Sequence, residues 1–164
     1  MRLPRPRHAR RRAPAAPTAA PRPAARRGSS ARRAAWNAHD LDGLAALAAP
    51  DFEGTDTAEA GTVHGPEGLR RQAASYLAAF PDLHLTFDEV VADGTRVAVR
   101  WSSRGTHRGP FLHIPPTGRA LVGLGVSLFH VEGGRLRRCE RVWDVAGFLR
   151  AVGLLPELPV DDGQ

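Results

Sequence analysis

The sequence predicts an α+β domain whose sheet curls around its helices, and three observations support that prediction. Two amphipathic helical segments come first, four alternating segments that form two hairpins follow, and one short helix closes the pattern. Helices and strands grouped in separate runs are typical of α+β domains, whereas parallel sheets alternate strand with helix. About 125 residues from Ala34 onward are enough for one domain with one hydrophobic core.

Residues 1–33 differ from the rest of the chain in composition and charge. They hold eleven Arg, no acidic residue and almost no large apolar side chain, so they carry a formal charge of +11 while the remaining residues carry −5. Such a segment cannot bury enough apolar surface to offset the entropy of ordering. We therefore expect a disordered extension over residues 1–33, and no nucleic-acid binding by the folded domain.

Other interpretations of the extension stay open, and the rest of the chain gives further expectations. The extension is also similar to an organellar transit peptide or to a polybasic tail that contacts nucleic acid or anionic lipid, and an upstream start codon would leave it without function. No stretch is apolar enough to span a membrane, and the single Cys139 excludes an internal disulfide, which suits a cytoplasmic protein. We expect one domain over residues 34–158 and a polar tail over residues 159–164.

Two segments have helical periodicity. The first, AAWNAHDLDGLAALAAP, places Trp36, Leu41 and Leu44 near one face, with Asp40 as a cap for its second part and Pro50 as its end. The second, GPEGLRRQAASYLAAFP, has proline at its first helical position, an acidic first turn and an apolar stripe. Both helices are amphipathic, so each needs a surface to pack on.

Four later segments alternate apolar and polar residues, as strands with one buried face do. LHLTFDEVV and RVAVRWSS are joined by the hairpin signal Asp93-Gly94, and ALVGLGVSLFHV and RLRRCERVWD are joined by Gly133-Gly134. The segment VAGFLRAVG predicts a closing helix that ends near Gly153.

Asp144 and His130 are candidates for acid/base chemistry. Asp144 shares one face of the last strand with Leu136, and His130 shares one face of the preceding strand with Leu128. If both faces point into the concavity of the sheet, a carboxylate and an imidazole lie among apolar side chains. Burial of that kind tunes a carboxylate for proton transfer near neutral pH.

Each candidate also has a purely structural explanation. Asp144 precedes the last helix and would cap its N-terminus, and His130 near a hairpin end would be a surface histidine. A strict two-residue turn at Gly133-Gly134 would place His130 opposite Arg137 and the two candidates on opposite faces. A three-residue loop or a bulge would bring them to the same face. The sequence leaves these alternatives open.

The segment GTHRGPFLHIPPTGR, residues 105–119, joins two strands and is dense in glycine, proline and histidine. His107 and Phe111 are candidates to shape the mouth of a pocket, while a loop histidine bonded to the backbone is the alternative for His107. The sequence has no zinc-type histidine spacing, nucleotide fingerprint or nucleophile elbow, so we expect no metal site and no cofactor.

Four short motifs give the chain a family resemblance. They are FPDL at 80–83, GTHRG at 105–109, PPTGR at 115–119 and the closing strand with Trp143-Asp144. With them, the span from Trp36 to Pro156 resembles the SnoaL-like polyketide cyclases, or ester cyclases, of the nuclear transport factor 2-like superfamily. The resemblance implies a cone-shaped α+β barrel or roll, in which a strongly curved, mainly antiparallel sheet packs on helices and encloses a deep apolar pocket.

The resemblance also implies a chemistry. Cyclases of this family close the last ring of an aromatic polyketide by intramolecular aldol condensation in antibiotic biosynthesis, without metal or cofactor. An aspartate at the end of the last strand acts as acid/base, with a histidine on the neighbouring strand, and these positions match Asp144 and His130. We expect a polyketide-like small molecule as substrate and a homo-oligomer. The residues expected around the substrate are Trp36, Trp101, His107, Phe111 and Arg138.

The superfamily includes other activities, so two alternatives stay open. One is a related acid/base enzyme, such as an epoxide hydrolase or a cofactor-free hydroxylation component. The other is a non-catalytic module that binds a ligand or dimerises.

Overall fold

The computed structural model describes residues 23–157, with side chains from residue 28 onward, as four helices and one six-stranded sheet. The helices are α1 (Pro23–Asn37), α2 (Leu41–Ala46), α3 (Gly65–Ala79) and α4 (Val145–Ala151). The strands are β1 (Ala48–Asp56), β2 (Glu59–His64), β3 (His84–Asp93), β4 (Arg96–Thr106), β5 (Ala120–Glu132) and β6 (Arg135–Trp143). The prediction of an α+β domain is confirmed.

The sheet is mixed and open rather than a closed barrel. Its strand order is β2-β1-β6-β5-β4-β3, with β1 parallel to β6 and every other neighbouring pair antiparallel. Helices α1 and α3 pack against the sheet, and α4 packs against β5. We call the face toward the helices the inner face and the opposite face the outer face.

The boundary expected between residues 33 and 34 is wrong, because it falls inside α1. Alanine and arginine are good helix formers, and α1 packs on β3 and β4, which buries Ser29 and Arg32 to 4% and 3% exposure. This segment is therefore ordered by packing against the sheet, which its composition does not predict. The disorder expected for residues 1–22 and the polar tail expected at 159–164 lie outside the described residues, so both stay predictions.

The first helical segment is shorter than its periodicity predicts. The N-terminus of α2 is capped as predicted, since Asp40 Oδ1 accepts a hydrogen bond of 2.8 Å from the N–H of Gly43. The chain then enters β1 at Ala48, so Pro50 lies in a strand rather than at a helix end. Strands β1 and β2 were not predicted; β1 buries Phe52 and Asp56 on the inner face.

The second hairpin combines a tight turn with a bulge. Gly133 and Gly134 have φ of 55° and 78°, the left-handed values that a two-residue hairpin turn requires. The register then shifts: Val131 pairs with Leu136, but His130 pairs with Arg138. One extra residue on β6 therefore gives the two strands the shared parity that a bulge was expected to produce.

The two faces of the sheet differ in burial. Inner-face residues such as Val99, Trp101 and Phe129 form the core with Leu69 of α3. The outer face carries exposed apolar side chains, and their exposed fractions are Val122 69%, Leu124 51%, Val126 40%, Leu128 48% and Val142 57%. Within the described residues, no helix is long and apolar enough to cross a membrane.

Candidate functional site

A pocket lies between the inner face of the sheet and the helices. Its empty volume is about 840 Å³, a figure that includes the open space at its mouth. Most lining side chains are aromatic or aliphatic. The lining residues are Arg32, Trp36, Tyr76, Phe80, Leu83, Leu85, Phe87, Trp101, Ser103, Gly105, Phe111, Leu121, Val122, Gly123, Ser127, Phe129, Arg141, Trp143 and Phe148.

Aromatic rings form a continuous wall on the helix side of this pocket. Tyr76 contacts Trp36 edge-on and lies 4.9 Å, between ring centroids, from Phe111. Phe111 in turn contacts Phe80 at 5.3 Å and Phe148 at 5.4 Å, both edge-to-face. Such contacts fix the rings and expose flat π surfaces, so the wall suits a planar, unsaturated ligand.

A buried carboxylate, that of Asp56, lies behind the pocket lining and accepts hydrogen bonds from lining side chains. Asp56 Oδ2 accepts hydrogen bonds from the Tyr76 hydroxyl at 3.0 Å and from Arg141 Nη1 at 3.1 Å. Asp56 Oδ1 accepts from the Trp143 indole N–H at 2.8 Å and from the N–H of Ala58 at 2.9 Å. Four donors occupy both oxygens, so Asp56 positions three pocket side chains and has little capacity left to take a substrate proton.

Burial decides the protonation of two of these partners. Burial raises the pKa of Tyr76 well above its usual value, so its phenol stays a hydrogen-bond donor. Burial alone would lower the pKa of Arg141, but the coulombic influence of Tyr76, Cys139 and Asp56 outweighs burial and raises it. The guanidinium of Arg141 therefore stays charged beside the Asp56 carboxylate.

Arg32 is a second buried guanidinium in the lining. It reaches the pocket from α1, lies over the Phe129 ring at 5.1 Å from the centroid, and is 3% exposed. Its Nη1 has no hydrogen-bond partner among the described residues. Burial lowers the pKa of Arg32 below its usual value, an effect that Cys139 opposes and Arg141 reinforces.

A glycine of β5 makes room for one of the three tryptophans that line the pocket. The indole N–H of Trp101 donates to Ser127 Oγ at 3.0 Å. A Cβ placed on Gly125 would lie 2.4 Å from the indole of Trp101, which is closer than carbon atoms can approach. The sequence GLGVS, which is too poor in glycine for a nucleotide site, thus serves to seat an indole in the pocket.

Of the residues expected around the substrate, Trp36, Trp101 and Phe111 line the pocket. His107 is fully buried but lies outside the lining, stacked on Phe80 at 5.4 Å with its Nδ1 3.1 Å from Thr117 Oγ1. Its backbone also bonds to the turn that follows, since the Gly118 N–H donates to the His107 carbonyl at 2.8 Å.

The segment 105–119 fastens the pocket wall to α3 through a close backbone contact. The N–H groups of Arg108 and Gly109 both donate to the carbonyl of Ala79 at the end of α3. A Cβ on Gly109 would lie 2.3 Å from the Ala78 carbonyl oxygen, so only glycine fits there. This contact explains the second glycine of the GTHRG motif.

The structure does not bring Asp144 and His130 together, contrary to expectation. Both lie on the outer-face parity: His130 pairs with Arg138 and is half-exposed, with Nε2 3.4 Å from Glu132 Oε1. Asp144 is exposed, and its N–H donates to the carbonyl of Leu124, six residues from His130 along β5. Six residues of strand span about 20 Å, so the two side chains cannot act on one atom.

The outer-face placement has a local cause for each of these residues. Asp144 caps α4, with Oδ1 accepting from the Gly147 N–H at 2.7 Å. Arg138, also expected at the pocket, instead forms an exposed ion pair with Glu53 at 3.1 Å. Because of the bulge after His130, the even-numbered residues of β5 and those of β6 from Arg138 onward share one face of the sheet. That face points to solvent.

Sequence reasoning missed Arg32, Asp56, Tyr76 and Arg141. Arg141 and Trp143 lie on the opposite parity of β6 from Asp144, and Tyr76 is the single tyrosine of the chain. Asp56 lies in a strand that was taken as the end of a helix, and Arg32 in a segment taken as disordered. Within the described residues, no group of three or more His, Cys, Asp or Glu side chains could hold a metal ion.

The sequence pattern that defines the SnoaL-like polyketide cyclase family matches residues 29–152. The chain belongs to this family. The match begins inside α1 and includes Arg32, so the family domain extends beyond the boundary expected at Ala34. Among curated proteins, none matches the chain significantly.

Solved structures of similar proteins share the fold, and the functions that their names describe differ. AclR from Streptomyces galilaeus, a candidate hydroxylase, is 28% identical with a TM-score of 0.73 over 82% of this chain and 88% of that one. TsrD from Streptomyces laurentii is 27% identical with a TM-score of 0.73 over 82% and 98%. IdmH from Streptomyces antibioticus, a candidate polyketide cyclase, is 29% identical with a TM-score of 0.67 over 79% and 98%.

Proposed function

We propose that this SnoaL-like protein closes a ring in a polyketide-like substrate by a cofactor-independent intramolecular aldol reaction. The observation that carries the proposal is the pocket: its walls are aromatic, and its two charged lining groups are the guanidiniums of Arg32 and Arg141. An aldol reaction passes through an enolate, which buried cationic donors stabilise. A flexible chain held against flat rings also loses less entropy when its ends meet.

The proposed base is Asp144, as the family resemblance implies. Asp56 accepts four hydrogen bonds, whereas Asp144 accepts one, from Gly147. Asp144 follows the lining residue Trp143, and its N–H donates to the carbonyl of Leu124, which follows the lining residues Val122 and Gly123. Its carboxylate is exposed, and in this proposal it meets the part of the substrate that extends out of the pocket beside Trp143. His130 has no role in this proposal.

The proposed reaction balances without a co-reactant. Asp144 takes a proton from a carbon between two substrate carbonyls, and the resulting enolate oxygen is stabilised by guanidinium donors. The carbanion carbon bonds to a distant carbonyl carbon of the same molecule. The alkoxide that forms takes the proton back from Asp144, so the ring closes with no net loss of atoms.

Replacing Asp144 by Asn tests this assignment without disturbing the helix. Asparagine caps a helix N-terminus about as well as aspartate but cannot remove the proton. We expect Asp144→Asn to lower the rate of ring closure about 100-fold or more on a linear polyketide made by a co-expressed synthase, because general bases contribute that much. The melting temperature should stay unchanged, which liquid chromatography and calorimetry on one preparation would establish.

Two further variants serve as controls for that result. Asp144→Ala should lose the cap as well, and so unfold more readily by about 1 kcal/mol, whereas His130→Gln should retain full ring closure. Full turnover by folded Asp144→Asn would leave Asp144 as a cap only and remove it from the mechanism.

A second candidate function is hydroxylation, which the likeness to AclR favours. Product mass separates the two functions. Ring closure by aldol addition leaves the mass unchanged or lowers it by one water, whereas hydroxylation adds one oxygen. An oxygenated product from the purified chain with a reductant present would favour hydroxylation, and tight ligand binding without any product would favour a binding module.

We also propose that the chain forms a homodimer through the outer face. That face combines the exposed apolar residues Val122, Leu124, Val126, Leu128 and Val142 with the neighbouring opposite charges of Arg138 and Glu140, so it complements a second copy of itself. Val126→Asp should convert the dimer to a monomer in light scattering after gel filtration. A monomeric parent at micromolar concentration would contradict the proposal.

A further inference from the structure

The buried guanidinium of Arg32 has no counter-charge in the pocket. Arg32 is 3% exposed, it lines the pocket, and its Nη1 has no partner among the described residues. A buried charge is normally paired, because removal from water otherwise costs more than the fold returns. An unpaired cation in the wall of a pocket therefore points to an anion that arrives with the ligand.

The neighbouring charges do not satisfy Arg32. The one buried carboxylate at this end, Asp56, is bound by Arg141 at 3.1 Å and by the side chains of Tyr76 and Trp143. No Asp or Glu is among the described lining residues. The lining thus holds two guanidiniums, and the carboxylate behind it neutralises one of them.

Two further features specify how Arg32 would meet its anion. Its guanidinium lies over the Phe129 ring, which fixes the plane of the fork, and its buried Nη1 has no hydrogen-bond partner among the described residues. A planar fork matches a planar carboxylate, with which arginine forms paired, charge-assisted hydrogen bonds. Phe129 is also six residues from Gly123 at the mouth, about 20 Å along β5.

We propose that Arg32 binds a free carboxylate of the substrate, so that the substrate is an aromatic or polyunsaturated carboxylic acid rather than its ester or amide. The carboxylate anchors one end of the substrate beside α1, and the remainder extends along the aromatic wall toward the mouth. The inference rests on the proposed function in one respect, which is that the pocket is the substrate site.

Calorimetric titration with a matched pair of planar probes tests the inference. The full chain is titrated with anthraquinone-2-carboxylate and with anthraquinone-2-carboxamide, which has nearly the same shape and no charge. We expect the carboxylate to bind about tenfold to a hundredfold more tightly, as charge-assisted hydrogen bonds allow. Equal affinity of the two probes, or binding of neither, would overturn the inference.

Two single substitutions on α1 assign the selectivity to one residue. Arg32→Gln should reduce the affinity ratio of carboxylate to amide to about one, whereas Arg33→Gln, which changes an exposed arginine on the same helix, should keep the parent's ratio. An unchanged ratio in Arg32→Gln would contradict the proposal.

A stability measurement separates a binding role from a structural one. Arg32→Met removes an unpaired buried cation and keeps an apolar side chain of similar length, so its melting temperature without ligand should equal or exceed that of the parent. Addition of the carboxylate probe should raise the melting temperature of the parent but not of this variant. A ligand-free Arg32→Met protein that melts well below the parent would make Arg32 structural and end the proposal.

Different experimental results would refute the inference and the proposed reaction. Asp144→Asn should retain the full preference for the carboxylate probe, because Asp144 lies outside the pocket lining, after the end of β6. Selective carboxylate binding by a parent that closes no ring would remove the cyclase function and leave the inference intact.

Discussion

Two ion pairs join β1 to β6 at the same distance, and they differ in the face of the sheet on which they lie. Arg141 and Asp56 meet at 3.1 Å on the inner side, where their side chains are 11% and 1% exposed. Arg138 and Glu53 also meet at 3.1 Å, but on the outer side at 61% and 48% exposure. The distance therefore does not show how much either pair contributes to stability, since solvent screens the outer pair and not the inner pair.

The comparison extends to the whole sheet. On the inner side the carboxylate of Asp56 accepts hydrogen bonds from Arg141, Tyr76 and Trp143. On the outer face Asp144, His130 and Arg138 all contact solvent. A polar residue in this fold has different consequences on the two faces, and that difference can be measured.

The largest effect is expected from Asp56→Asn. The substitution leaves the buried guanidinium of Arg141 without a counter-charge, and breaking a buried pair typically costs about 3–5 kcal/mol. Urea unfolding would measure the loss. The double variant Asp56→Asn with Arg141→Met should recover part of it, because no unpaired charge remains. A single-variant loss no larger than that of an exposed pair would break the comparison.

An intermediate, pH-dependent effect is expected from His107. Burial lowers the pKa of His107 below 6.5, so the unfolded chain takes up this proton first as the pH falls. The contribution of His107 is complete above pH 6.5 and decreases below it by up to about 1.4 kcal/mol per pH unit, until the folded-state pKa is reached.

Urea unfolding at pH 7.5 and pH 5.5 would check the effect of His107. His107→Gln should show a smaller difference between the two pH values than the parent. An equal difference in both proteins would mean that other groups cause the pH dependence.

The smallest effect is expected from Glu53→Gln. It breaks the outer pair with Arg138, whose members both contact water, so the free energy of unfolding should change by less than about 1 kcal/mol. The same urea titration that serves Asp56→Asn gives this value. A loss of several kcal/mol would show that the outer face is buried in solution, as the proposed dimer would allow.

Much of the fold follows from local sequence. The periodicity of residues 65–79 gave α3 within a residue or two, and glycine with alternating apolar residues gave both hairpins of β3 to β6. Asp40 was identified as a cap because capping depends on three neighbouring residues. Strands β1 and β2 escaped prediction because β1 begins in an alanine-rich segment with a proline, and parallel pairing with β6 depends on residues far along the chain.

The site was predicted less well, and β5 shows the reason. Both parities of β5 carry apolar residues: Val122, Leu124, Val126 and Leu128 are on one, and Leu121, Phe129 and Val131 are on the other. Alternation tells which residues share a face, but it cannot tell which face meets the helices when both are apolar. Glycines at positions 123 and 125 marked the inner parity, because the Ser103 hydroxyl and the Trp101 indole, respectively, occupy the space where their side chains would be.

The sequence by itself determined the order of α3, the strands β3 to β6 and α4, the turn at Gly133-Gly134, the cap at Asp40 and the family of the protein, because each depends on short-range periodicity, turn geometry or a contiguous motif. Only the tertiary structure decided that Asp56, Tyr76 and Arg141 meet at one pocket and that Arg32 is buried beside them. Their separation along the chain is large, and the side of the sheet on which they meet is fixed by helix packing, which no local pattern contains.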